Sequence, residues 1–90
     1  MGSISVKIKL MPSSVETNLE EIKEKSKAIL EGKAGKNVRF EEEPIAFGLK
    51  AVIVFFIWPE EEELEPIEKI LEEIENVNSS QILDIRRTSG

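Results

Sequence analysis

Three residue types are missing from this chain of 90 residues: it has no cysteine, no histidine and no tyrosine. Without cysteine there is no disulfide framework, no thiolate nucleophile and no sulfur ligand for a metal. Without histidine the usual general base and the commonest transition-metal ligand are gone. Covalent catalysis is therefore the function class with the least support. Positive charge is also scarce, with twelve Lys and Arg against eighteen Asp and Glu and a net charge of −6. Phosphate binding draws its affinity from lysine and arginine, so nucleic acid is disfavoured as the main partner and a neutral or basic protein is favoured. The one long apolar run, Ala51 to Trp58, is far too short to cross a bilayer. The start shows no charged stretch followed by the apolar core of a secretory signal. The protein is accordingly expected in the cytoplasm, with the sequon Asn78-Ser79-Ser80 unused. The glutamate runs 41–43 and 60–63 lack the spaced oxygen ligands and turn glycine of a calcium loop. They read as solvated faces that steer a basic partner, and neither a metal nor a cofactor is expected.

What is present fits a single domain over residues 1–90, with Met1-Gly2-Ser3 expected to be disordered or foreign to the natural chain. A domain of this size buries only roughly 60–65 % of its unfolded surface, which leaves a thin core. Ile4, Val6, Ile8 and Leu10 alternate with Ser5, Lys7 and Lys9, the pattern of a strand with one buried face. Pro12-Ser13-Ser14 breaks it. Asn18 then reads as a helix N-cap with Glu21 completing a capping box. Leu19, Ile22, Ile29 and Leu30 form the apolar face, and Gly32 is expected to stop the helix at about Glu31. Asn37 to Glu42 reads as a second strand and Ala51 to Trp58 as a buried central one. Pro59 and Glu60–Glu63 are expected to open a second helix, with Leu64, Ile67, Ile70, Leu71 and Ile74 as its stripe and Pro66 confined to the first turn. Asn76-Val77-Asn78 is expected to turn the chain, and Gln81 to Arg87 to form the last strand.

The order β-α-β-β-α-β predicts an α+β fold: a ferredoxin-like sandwich with two helices on one face of a four-stranded antiparallel sheet. Right-handed crossovers put the first and third strands in the middle. The third strand is apolar on both faces, so its open face needs cover from long side chains such as Lys7 and Lys9, or from a partner. Phe55 and Phe56 straddle the two faces, and Trp58 is expected to pack in the core or at the sheet edge.

The segment Glu43-Pro44-Ile45-Ala46-Phe47-Gly48-Leu49 places an aromatic ring where this hairpin should turn. Pro44 cannot donate to a ladder and closes the second strand. Gly48 can adopt the positive φ that a tight reversal needs. On the residues alone, Phe47 is either tucked beneath its own hairpin or offered to a partner.

That segment, the helix entry Glu16-Thr17-Asn18-Leu19 and the strand order resemble the archaeal elongation factor 1-beta family, from about Ile4 to Arg87. The family corresponds to the exchange domain of the eukaryotic translation factor 1 beta subunit. The resemblance implies a guanine-nucleotide exchange factor without covalent chemistry, acting on the elongation factor 1-alpha GTPase and monomeric when free. It implies that Phe47 enters an apolar pocket of the GTPase, with Gly48 letting the backbone approach and Pro44, Ile45 and Ala46 shaping the loop. Eukaryotic members carry a lysine near the C-terminus that disturbs the magnesium and phosphate region. Its place falls on Arg87, which Thr88-Ser89-Gly90 follow. Two other readings of the same fold are an RNA-binding module and a small-ligand or structural domain that dimerises through its sheet. The third strand lacks the basic and glycine residues of an RNP segment, which weighs against the first.

Overall fold

The computed structural model describes residues 2–88. Its elements are β1 (Ser3–Pro12), α1 (Leu19–Glu31), β2 (Lys36–Pro44), β3 (Lys50–Pro59), α2 (Glu65–Glu72) and β4 (Val77–Thr88). A single 3-10 turn, Ala46–Gly48, joins β2 to β3. The strands form one antiparallel sheet in the order β2-β3-β1-β4, with β1 and β3 central as the crossover rule requires.

The alternation in β1 is what builds the core. Val6, Ile8 and Leu10 pair with Phe56, Val54 and Val52 across the central strands, so all six project toward the helices. Ile22 and Leu30 from α1 and Ile67 and Leu71 from α2 close over them, each essentially fully buried. Burial of such a side chain contributes about 1.5–3 kcal/mol. Ser26, the one buried polar residue among the described residues, donates its hydroxyl to the Ile22 carbonyl at 2.6 Å. Trp58 is buried at the far end of β3, edge-on to Phe56 with ring centroids 5.9 Å apart.

The other face of β3 carries Ala51, Ile53, Phe55 and Ile57. The first two are buried and the last two half-buried, although no helix lies over them. Long side chains cover this face, as its pattern demands. Lys7 and Arg39 lie 5.6 and 5.3 Å from the Phe55 ring centre, and Lys9 reaches Glu43 at 3.5 Å.

Asn18 and Gly32 bound α1 as the sequence reading expects, and the other element ends differ from it in detail. β1 begins at Ser3, which pairs with Pro59 and Thr88, so Ser3 is part of the sheet; Met1 lies outside the described residues. Asn18 caps α1 by accepting from the Glu20 and Glu21 amides at 3.0 and 3.4 Å, but the return bond from the Glu21 side chain is not formed. Gly32 follows Glu31 in a right-handed conformation, with its amide donating to the Ala28 carbonyl. Both glycines after the helix sit close to it: an added Cβ would approach the Ala28 carbonyl at Gly32 and Leu30 atoms at Gly35, each at 3.0 Å. The run Glu60–Glu63 precedes α2 as a turn, pinned by the Trp58 Nε1–H bond to the Glu62 carbonyl at 3.2 Å, and Pro66 holds the helix start at Glu65. Finally, only Asn76 turns the chain, with φ of 71°, and β4 starts at Val77. Its first half is fixed by Ser80 Oγ–H donating to the Glu68 carbonyl at 2.7 Å.

Candidate functional site

Pro44 is the last residue of β2 to pair, opposite Lys50, and five residues close the loop between them. The Ile45 amide donates to the Leu49 carbonyl at 2.7 Å and the Leu49 amide to the Ala46 carbonyl at 3.3 Å. Both residues are extended, so the reversal falls on Phe47 and Gly48. Gly48 has a φ of 80°, which glycine takes freely. Phe47 has φ 63° and ψ 30°, a left-handed conformation that costs an L residue with a large side chain about 1–2 kcal/mol.

The ring of Phe47 is 95 % exposed. It does not fold back beneath its hairpin, so of the two orientations left open by the sequence it takes the outward one. Leaving a phenylalanine in water forgoes about 1.5–3 kcal/mol of burial. Backbone strain at this residue opposes folding and the exposed ring contributes nothing to it, so neither feature is there for stability.

Two further features surround the tip. Val15, on the loop from β1 to α1, is 61 % exposed and stands against Gly48. Sequence reasoning missed it, because one apolar residue in a polar loop has no periodicity to betray it. Lys23 of α1 reaches across to Glu42 of β2 at 2.8 Å and to Glu20 at 3.1 Å, tying the helix entry to the root of the hairpin. The bond from Lys23 holds the Glu42 carboxyl below its ordinary value, and the bond to Glu42 raises the Lys23 ammonium above its own.

Pro44, Ile45, Ala46, Phe47 and Gly48 are thus gathered in one loop. Arg87 is not with them. It pairs with Ile4 in the sheet register, while the hairpin tip lies beyond the Leu10–Val52 pair. Six residues of β1 separate those rows, about 20 Å of strand, in a body 42 Å long. Arg87 is exposed and ion-paired to Glu60 at the opposite end of the sheet.

Charge is segregated as well. Residues 60–75 hold nine glutamates and one lysine, a net −8, which leaves +2 for the remainder of a chain whose total is −6. Among the described residues no three acidic side chains converge as a metal cage, and no helix is long and apolar enough to cross a membrane. What the site offers is a rigid apolar projection.

Residues 5–88 match the model of the EF-1 guanine nucleotide exchange domain. The chain is 47 % identical over 88 residues to elongation factor 1-beta of Methanosarcina acetivorans, covering 97 % of this chain and 99 % of that one. It is 40 % identical over 86 residues to elongation factor 1-beta of Methanocaldococcus jannaschii, with coverage of 94 % and 97 %. Against elongation factor 1-beta of Pyrococcus abyssi the identity is 39 % over 82 residues, 89 % of each chain.

Proposed function

This chain belongs to the family of EF-1 guanine nucleotide exchange domains, and we propose that it releases GDP from elongation factor 1-alpha so that GTP can rebind during translation elongation. The observation that carries this reading is Phe47, 95 % exposed on a left-handed backbone at the tip of the β2–β3 hairpin.

An exchange factor makes and breaks no covalent bond. It binds the nucleotide-free GTPase better than the nucleotide-bound one, and by reciprocity it weakens nucleotide binding to the same extent. A thousandfold weakening requires about 4 kcal/mol of coupling. Burying one phenylalanine in an apolar pocket of the GTPase supplies about 2–3 kcal/mol of it. Phe47 is ready for that step: its ring already stands clear of the protein, and its backbone is locked by the Ile45–Leu49 bond and Gly48. Ordering costs that a flexible loop would meet on binding are met on folding here.

The remaining coupling is assigned to the other end of the sheet. Arg87 is the cation that reaches toward the magnesium and phosphate region, after exchanging its pair with Glu60 for a partner group. A planar guanidinium does not reproduce a compact ammonium, so its share is the smaller one. The factor acts as a monomer that contacts the GTPase at two places, with the stiff sheet as the spacer between them.

The experiment is the release of a fluorescent GDP analogue from archaeal elongation factor 1-alpha under excess unlabelled nucleotide. The expected result is a large, saturable acceleration by this protein. Release at the spontaneous rate, with both proteins folded and cognate, would overturn the proposal.

A further inference from the structure

Phe47 is not the only exposed apolar side chain at this end of the molecule. Val15 Cγ1 lies 3.8 Å from where a Cβ on Gly48 would stand, so valine and hairpin tip form one continuous surface. The loop carrying Val15 is closed by its own hydrogen bonds. The Ser14 amide donates to Thr17 Oγ1 at 3.2 Å, the Glu16 amide to Ser14 Oγ at 3.2 Å and the Ser13 amide to the Asn76 carbonyl at 2.9 Å. None of these bonds calls for an apolar residue at position 15. Behind Val15 a hollow of about 250 Å³ opens between loop and hairpin, where the hydroxyls of Ser14 and Thr17 and the charges of Glu42 and Lys50 join Val15 and Leu19 to give a mostly polar lining. Glu42 is bonded to Lys23, whereas Lys50 makes no ion pair within 4 Å among the described residues and acts on Glu42 only from farther off.

We propose that Val15 is a second contact for the same GTPase, packing on the rim of the partner's apolar pocket while a partner carboxylate meets Lys50 at the polar hollow beside it. The inference rests on the Phe47 reading, and geometry links the two. A pocket deep enough to take the Phe47 ring has a rim, and that rim must settle on the residues beside the ring. Gly48 is the next residue in the chain, and Val15 is the side chain against it. The contact is therefore continuous: the ring enters the partner, and Val15 meets the rim around it.

The test titrates the factor in the GDP-release assay and reads the half-saturating concentration separately from the maximal rate. Val15→Asp places a charge in a contact that excludes water, and is expected to raise the half-saturating concentration about tenfold or more. Val15→Ser, which adds no charge, should raise it about threefold, and Val15→Ile should stay within about twofold of the parent. Thermal unfolding of all three should match the parent, since the side chain is mostly solvated. Lys50→Glu should raise the half-saturating concentration severalfold; no change there would remove the carboxylate from the proposal. Val15→Asp and Val15→Ser indistinguishable from the parent, while Phe47→Ala loses exchange, would overturn the second contact alone. Silence of Phe47→Ala as well would overturn the reading on which it rests.

Discussion

Phe47 and Phe56 belong to the same hairpin and are handled in opposite ways. Phe56 sits in β3, 1 % exposed, facing the helices and edge-on to Trp58. Phe47 sits at the tip, 95 % exposed, on a backbone that phenylalanine rarely adopts. The difference arises in the chain, not in the ring. Alternation in a strand sends Phe56 inward between residues that must also be buried. At the tip, the left-handed pair Phe47–Gly48 turns the chain so tightly that no wall is left for a ring to lie against. The root of the hairpin is thus organised for stability, while the tip gives stability up.

The largest effect should come from the root. Phe56→Ala removes a ring from a closed core and is expected to cost about 3–5 kcal/mol, measured by urea unfolding. A loss below about 1 kcal/mol would mean that the core tolerates the gap and the contrast is weaker than the packing implies. At the tip, Phe47→Ala should leave the unfolding midpoint where it is and reduce exchange about 30- to 100-fold, the equivalent of the 2–3 kcal/mol of burial assigned to the ring. Normal GDP release with that variant would end the assignment of Phe47 as the wedge.

Phe47→Asn sharpens the comparison further, because asparagine accepts the left-handed region far better than phenylalanine does. It should stabilise the protein by about 1 kcal/mol while abolishing the exchange that depends on the ring. A variant less stable than the parent would show that φ of 63° carries no strain here. Smaller again is Arg87→Ala, expected to slow exchange only a few-fold. Its exposed pair with Glu60 is worth about 0–1 kcal/mol, so the unfolding midpoint should hardly move. Exchange at the parent rate would leave Arg87 as surface charge only.

The smallest effect concerns the link between α1 and the hairpin root. Glu42 is depressed below its ordinary value of 4.5 by Lys23, so its contribution is complete above that value and disappears as pH falls through the lowered one. Lys23 is raised above its ordinary 10.5, so its contribution is complete below that value and disappears as pH climbs through the raised one. Urea midpoints of parent and Glu42→Gln should therefore differ slightly at neutral pH and converge in acid. A gap that persists at pH 2 would place the stabilisation elsewhere.

Much of the fold could be read from residue order alone. Period-two alternation in Ile4–Leu10 and the unbroken apolar run Ala51–Trp58 specify which strands are central, because nowhere else can both faces of β3 be covered. Pro44 and Gly48 likewise bracket the turn, since each restricts the backbone in its own way. The orientation of Phe47 was not legible, for a ring in a loop obeys no periodicity. Val15 escaped for the same reason. The start of α2 was misplaced because carboxylates do favour a helix N-terminus, yet the Trp58 bond to the Glu62 carbonyl captures them in a turn. The opening of β4 reads as part of the turn Asn76-Val77-Asn78, and pairing of Val77 with Pro12 of β1 overrides it.

One feature of the charge distribution reaches beyond the contact surfaces. With −8 gathered in residues 60–75 and +2 over the rest, the acidic charge of this net anion is concentrated in α2 and the turn before it. In the field of a basic surface such a body feels a torque before it touches, and it rotates so that its acidic segment leads. Collisions between an exchange factor and its target would then begin from a narrowed set of orientations, and added salt would broaden that set again before it altered a single contact.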